Sequence, residues 1–129
     1  MNRPEPIVAP GAPDPSGHYA HATVTPDGTI RASAQLPLGN GLTPGSPAEA
    51  QARQVLTNLA AVIRAAGGTV ASIAKLTLYV TDITDWGAVD AAVRDLCGDH
   101  RPARAVLQVA GLHHGFRVAA DAVAWRVCG

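Results

Sequence analysis

With 129 residues, ten basic side chains balanced by ten acidic ones, and a hydrophobic share of 47%, the chain has room for one domain around a single core. It carries no net field that would draw it to nucleic acid or to an anionic membrane surface, so a small-molecule partner is expected and neither of those two. Cys97 and Cys128 lack C-x-x-C spacing, which excludes a disulfide framework and a zinc knuckle and fits a reducing compartment.

The N-terminal stretch has no signal-peptide core and no later segment is as long as a membrane span, so a cytoplasmic location is expected. Residues 1–16 contain Pro4, Pro6, Pro10, Pro13 and Pro15, a composition that opposes helix and predicts an extended arm ahead of a domain over 17–129. His21 to Val24 and Ile30 to Ser33 read as strands joined through Thr25-Pro26-Asp27-Gly28, whose Pro and Asp-Gly supply turn chemistry. After a Gly- and Pro-rich loop from Gly39 to Pro47, Ser46 as cap, Pro47 at the first helical position and Glu49 as the capping-box partner predict a helix start. That helix runs to Gly67 and Gly68. Ala52, Val55, Leu56, Leu59, Val62, Ile63 and Ala66 form its buried stripe, with Gln51, Arg53, Gln54, Asn58 and Arg64 on the other face.

Ile73 to Val80 alternates Leu76, Leu78 and Val80 against Lys75, Thr77 and Tyr79, the period of a half-buried strand. Thr84 and Asp85 open a second helix that stops at Gly98 and carries Trp86, Val89, Val93 and Leu96 at helical spacing; the spacing makes Trp86 a core residue, with a cleft wall as its alternative. Residues 103–109 and 117–127 alternate like strands. A hairpin turning at Gly111 to His114 would close the chain and bring Arg104 opposite Asp121. The order of elements predicts an α+β fold, a mixed sheet with two helices on one face. The last strand is apolar on both faces, through Val118, Ala120, Ala122 and Ala124 and through Val123, Trp125 and Val127, so the helix-free face of the sheet is expected to be covered by another copy of the chain.

Arg104 and Asp121 are the candidate chemistry. A guanidinium offers a two-pronged match to a carboxylate, and an acid beside it can position water or move a proton. The alternative is an ion pair that only fixes strand register. Ser33 has no His and Asp arrangement to make it a nucleophile, so its hydroxyl serves a backbone group or a ligand oxygen. Tyr19 offers its hydroxyl to a ligand or belongs to the core or an interface. His18, His21, His100, His113 and His114 lack metal-helix spacing and read as solvated loop residues, and Cys97 reads as buried and inert. No metal and no cofactor is called for.

Six stretches in order carry a resemblance: Gly17-His18-Tyr19; the run from Ala32 through Ser33 to Pro37; Ala50 to Leu59; Lys75 to Asp82; Arg101-Pro102-Ala103-Arg104; and Val118 to Ala124 with Asp121 at its centre. With these motifs and their spacing, the chain from about Gly17 to Val127 resembles the Rid (YjgF-like) family of reactive-intermediate deaminases. The resemblance implies a chorismate-mutase-like α+β domain, a homotrimer with sites in the clefts between subunits, and hydrolysis of 2-imino or enamino acids to 2-oxo acids and ammonia without a cofactor. It makes Arg104 the grip on a substrate carboxylate and Asp121 the acid that positions water, one methylene shorter than the usual glutamate. Tyr19, Ser33, Trp86, Asp90 and Val106 are the candidate substrate-binding residues, Asp90 standing where asparagine is common. Two rivals remain: an enzyme of the same fold adapted to another intermediate in a dedicated biosynthetic or catabolic pathway, and a ligand-binding module that does no chemistry.

Overall fold

The computed structural model describes residues 3–127. Its elements are β1 (Glu5–Ile7), β2 (Ala22–Val24), β3 (Thr29–Gln35), α1 (Ala48–Ala65), β4 (Ile73–Val80), α2 (Trp86–Cys97), β5 (Ala103–Gln108) and β6 (Val118–Trp125). They form one six-stranded mixed sheet in the order β1-β2-β3-β6-β4-β5. The predicted mixed sheet with two helices is observed, and Cys128 lies outside the described residues.

The first hairpin is built by its turn. Gly28 N–H donates to Thr25 O at 2.9 Å, and the Asp27 carboxylate accepts from the Thr25 hydroxyl and from Thr29 N–H. These bonds, the Thr25 hydroxyl first, hold the Asp27 carboxyl down at about 2. The proline-rich lead-in contributes β1 to the edge beside β2, where Pro6 opposite Thr23 occupies a place that tolerates a missing N–H. Ala9 and Ala12 enter the core behind it. His21 is buried rather than solvated: its Nδ1 accepts from Ala9 N–H and its Nε2 donates to Pro13 O, both at 2.7 Å, which fastens the lead-in to β2. His100 is also bonded, through Nε2 to Ile73 O.

α1 buries the predicted stripe against β3 and β6, but two residues assigned to its polar face are buried with it. Gln51 lies four residues before Val55 and Asn58 three after it, so both fall on the buried face. The Asn58 amide donates to Leu36 O and Leu38 O at 3.0 Å. The predicted capping box does not form. Pro47 is the N-cap, Ser46 Oγ accepts from Thr43 N–H, and the Gln51 amide, reaching Pro44 O and Ser46 O, holds the entry loop instead. At the other end, Gly68 packs so tightly that a Cβ there would lie 2.9 Å from Ile30, Ile63 and Ser72.

The predicted closing hairpin is overturned. β5 pairs parallel with β4 through the α2 crossover, and β6 inserts antiparallel between β3 and β4. The reason lies in the side chains. β6 presents Val118, Ala120, Ala122 and Ala124 to one face and Ala119 and Val123 beside Asp121 to the other and fits the sheet centre, whereas β5, with Leu107 and Gln108 exposed, fits an edge.

Candidate functional site

The register decides which candidates meet. Arg104 is level with Leu76, and Leu76 is level with Ala122, so Arg104 points to the helix-covered side of the sheet; Asp121 is level with Thr77 and points to the opposite side. The expected cross-strand pair of Arg104 and Asp121 therefore does not exist within one chain.

Arg104 meets α2 instead. Its Nη1 donates to Asp90 Oδ1, and its Cζ stands 5.0 Å from the centre of the Trp86 ring, a cation–π distance. The Asp90 carboxyl is held below its ordinary range chiefly by the hydrogen bond from Arg104, with the Arg104 and Arg94 charges adding to it. Trp86 begins α2 and is 44% exposed, so it is not the core residue its spacing predicts: in the first turn its ring lies beyond the packed stripe of Val89 and Val93. Val106, two residues after Arg104 on the same strand face, packs against the core. Arg104 and Asp90 line a cleft of about 710 Å³ with Cys97, whose thiol burial pushes up.

The start of α2 is fixed from the other direction. Arg117 Nη2 donates to both oxygens of Asp85, at 2.9 and 2.8 Å, immediately before Trp86, while Arg117 N–H donates to Gln51 Oε1. Sequence reasoning missed this clip, because Arg117 and Asp85 meet only once β6 lies beside β4.

On the helix-free face, the Tyr79 hydroxyl donates to Asp121 Oδ2 at 2.8 Å. That bond, with burial and the Asp121 charge, raises the Tyr79 phenol above its ordinary value. Tyr79 was legible as an outward residue of β4 but not as the partner of Asp121. Tyr19 and Ser33 form a third group near β2 and β3. The Ser33 hydroxyl donates to Ala20 O at 2.7 Å, and Tyr19 is 47% exposed with its oxygen accepting from Ser16 N–H. Two strands, β6 and β4, separate β3 from β5. Thus Arg104, Trp86, Asp90 and Val106 gather at one edge, Asp121 lies on the opposite face, and Tyr19 and Ser33 lie toward the other end of the sheet. Among the described residues no group of three or more His, Cys, Asp or Glu is disposed to hold a metal ion, and no helix is long and apolar enough to cross a membrane.

An α+β sheet with an arginine-bearing edge cleft is the class of protein these features define. Residues 10–126 match the family model described as Endoribonuclease L-PSP. The chain belongs to this family, the YjgF/Rid family. It is 37% identical over 116 residues to the 2-iminobutanoate/2-iminopropanoate deaminase of Rattus norvegicus, covering 88% of this chain and 83% of that protein. The crystal structure of the YjgF gene product from E. coli superposes with a TM-score of 0.86 at 33% identity, covering 95% of this chain and 99% of that one. The structure of E. coli TdcF with bound serine has a TM-score of 0.86 at 29% identity, again over 95% of this chain and 99% of that one.

Proposed function

We propose that this protein is a cofactor-free hydrolase that converts 2-imino and enamino acids to 2-oxo acids and ammonia, working in the cytoplasm as a homotrimer. The observation that carries the reading is Arg104, a half-buried guanidinium backed by an aromatic ring in a cleft, in a chain similar over most of its length to deaminases of 2-imino acids. Bound serine in TdcF is a carboxylate-bearing ligand on the same fold.

The chemistry needs little machinery. A protonated imine carbon is already electrophilic, so the protein's task is to orient it against water. Arg104 grips the carboxylate. Asp121, steadied by Tyr79, takes a proton from the attacking water and returns it to nitrogen. The balance is one protonated imino acid plus one water giving one 2-oxo acid and one ammonium ion, through C–O bond formation and C–N cleavage.

Arg104 and Asp121 face opposite sides of one sheet, so a site that uses both draws them from two copies. Val123, Trp125 and Leu107 on or beside the helix-free face supply apolar surface for such an assembly. Tyr19 and Ser33, remote from β5 in their own chain, join the site from the neighbouring copy. The balanced charge argues against nucleic acid as a partner.

The test generates 2-iminobutanoate in situ and follows its decay. The wild-type protein accelerates conversion to 2-oxobutanoate, and Arg104→Ala abolishes the effect while retaining the fold. A second reading, an enzyme of this fold adapted to another intermediate in a dedicated pathway, is favoured by Asp90 sitting on Arg104. No acceleration by well-folded wild-type protein would replace the first reading with the second.

A further inference from the structure

The cleft beside α2 holds a charge arrangement that imine hydrolysis as described does not use. Asp90 bonds through Oδ1 to Arg104 and through Oδ2 to Nη2 of Arg94 at 2.8 Å. The two arginines differ: the Arg94 side chain is 72% exposed, whereas those of Arg104 and Asp90 are 23% and 22% exposed. The Arg104–Asp90 pair is thus a fixed, half-buried element of the cleft, and Trp86 covers one face of the guanidinium. Arg94, Asp99 and Arg101 also line the cleft; Asp99 and Arg101 offset one another in charge, and the solvent-exposed Arg94 is screened by water.

A carboxylate that reaches Arg104 arrives beside an existing negative charge. A simple monoanion brings Asp90 nothing but repulsion. A ligand with a carboxylate and an adjacent cation offers a partner to each member of the pair. The protonated imine of a 2-imino acid is such a zwitterion, its C=NH2+ group next to the carboxylate. Hydrolysis replaces that group by C=O and removes the positive charge as ammonium, so the product is a monoanion.

We infer that Asp90 is a specificity residue that makes the Arg104 cleft a site for zwitterions, accepting a hydrogen bond from the substrate's cationic nitrogen and repelling the 2-oxo acid once that cation is gone. Charge thereby separates substrate from product, where shape scarcely differs. The identity of the substrate rests on the deaminase reading; the charge preference rests on Arg104 and Asp90 alone.

The test is calorimetric binding of two stable probes at neutral pH, L-alanine as zwitterion and pyruvate as monoanion, to wild-type protein, Asp90→Asn and Asp90→Glu. Wild type is expected to bind alanine about tenfold or more tightly than pyruvate, Asp90→Asn to reverse the order by tightening pyruvate and weakening alanine, and Asp90→Glu, which keeps the charge, to preserve it. Equal affinities in the wild type, binding of neither probe, or an unchanged preference in Asp90→Asn would overturn the inference. Imine turnover is measured separately. Turnover without a charge preference defeats this inference alone, and a charge preference without turnover defeats the deaminase reading alone.

Discussion

Gln51 joins three parts of the chain that no helix or strand connects, and its truncation should be costly. The side chain is fully buried; its amide donates to Ser46 O at 2.9 Å and to Pro44 O at 3.1 Å, while Oε1 accepts from Arg117 N–H at 2.8 Å. Gln51→Ala removes the amide's two short bonds to loop carbonyls and the bond from Arg117 N–H, all three at part-buried contacts. At about 1–1.5 kcal/mol for each of these, the loss is about 3–4.5 kcal/mol. An unfolding entropy of roughly 2.1 cal/mol/K per residue gives a chain of this length about 0.27 kcal/mol/K, so the midpoint should fall by about 11–17 °C. Calorimetry at matched protein concentration measures it, since the proposed assembly would make the midpoint concentration-dependent. Freeing Arg117 also slackens its grip on Asp85, so tryptophan fluorescence from Trp86 should shift. A fall of less than about 4 °C would refute the assignment of these bonds as the restraint on the loop before α1.

Three further outcomes follow from particular contacts. Gly68→Ala places a methyl 2.9 Å from the fully buried Ile30 and Ile63, so it should destabilise by about 1–3 kcal/mol in denaturant titration, and an unchanged midpoint would contradict the packing. Tyr79→Phe removes the hydroxyl that steadies Asp121 and should lower kcat for 2-iminobutanoate while leaving KM little changed, because that hydroxyl is bonded to Asp121 and Arg104 is the group that holds the substrate carboxylate. The Tyr79 phenol is raised in the folded state above its ordinary 10.0, so its contribution to stability is complete below pH 10 and is lost as pH climbs through the folded value; this alkaline loss should disappear in Tyr79→Phe. Asp121→Asn should remove most turnover, because an amide cannot take up the proton, while Asp121→Glu should retain or improve it.

The elements governed by local pattern were legible. The stripe of α1, the alternation of β4 and the turn at Asp27-Gly28 each follow from residues near one another in sequence. Strand partnership was not, because alternation marks a strand without naming its neighbour. The clue that β6 is central lies in its two apolar faces, which suit a strand flanked on both sides and leave the helix-free face open to another copy. The polarity of Gln51 and Asn58 points to the outer face of α1, whereas their spacing puts them on the buried stripe. Arg104, Asp90 and Trp86 were each singled out, but their meeting depends on the crossover from β4 through α2 to a parallel β5, which no local signal specifies. Asp121 was likewise identified without its partner, since Tyr79 reaches it across the β4–β6 ladder.

If Arg104 of one copy and Asp121 of another make a single imine-hydrolysing site, as proposed, mixing two inactive variants restores activity. Arg104→Ala and Asp121→Asn are each prepared alone, then unfolded together in equal amounts and refolded, and 2-iminobutanoate decay is measured. In a randomly mixed trimer, a site takes an intact arginine from one subunit and an intact acid from the next with a chance of one half each, so about a quarter of wild-type activity should return. Mixtures that form verified hetero-oligomers and stay as inactive as either parent would contradict the account.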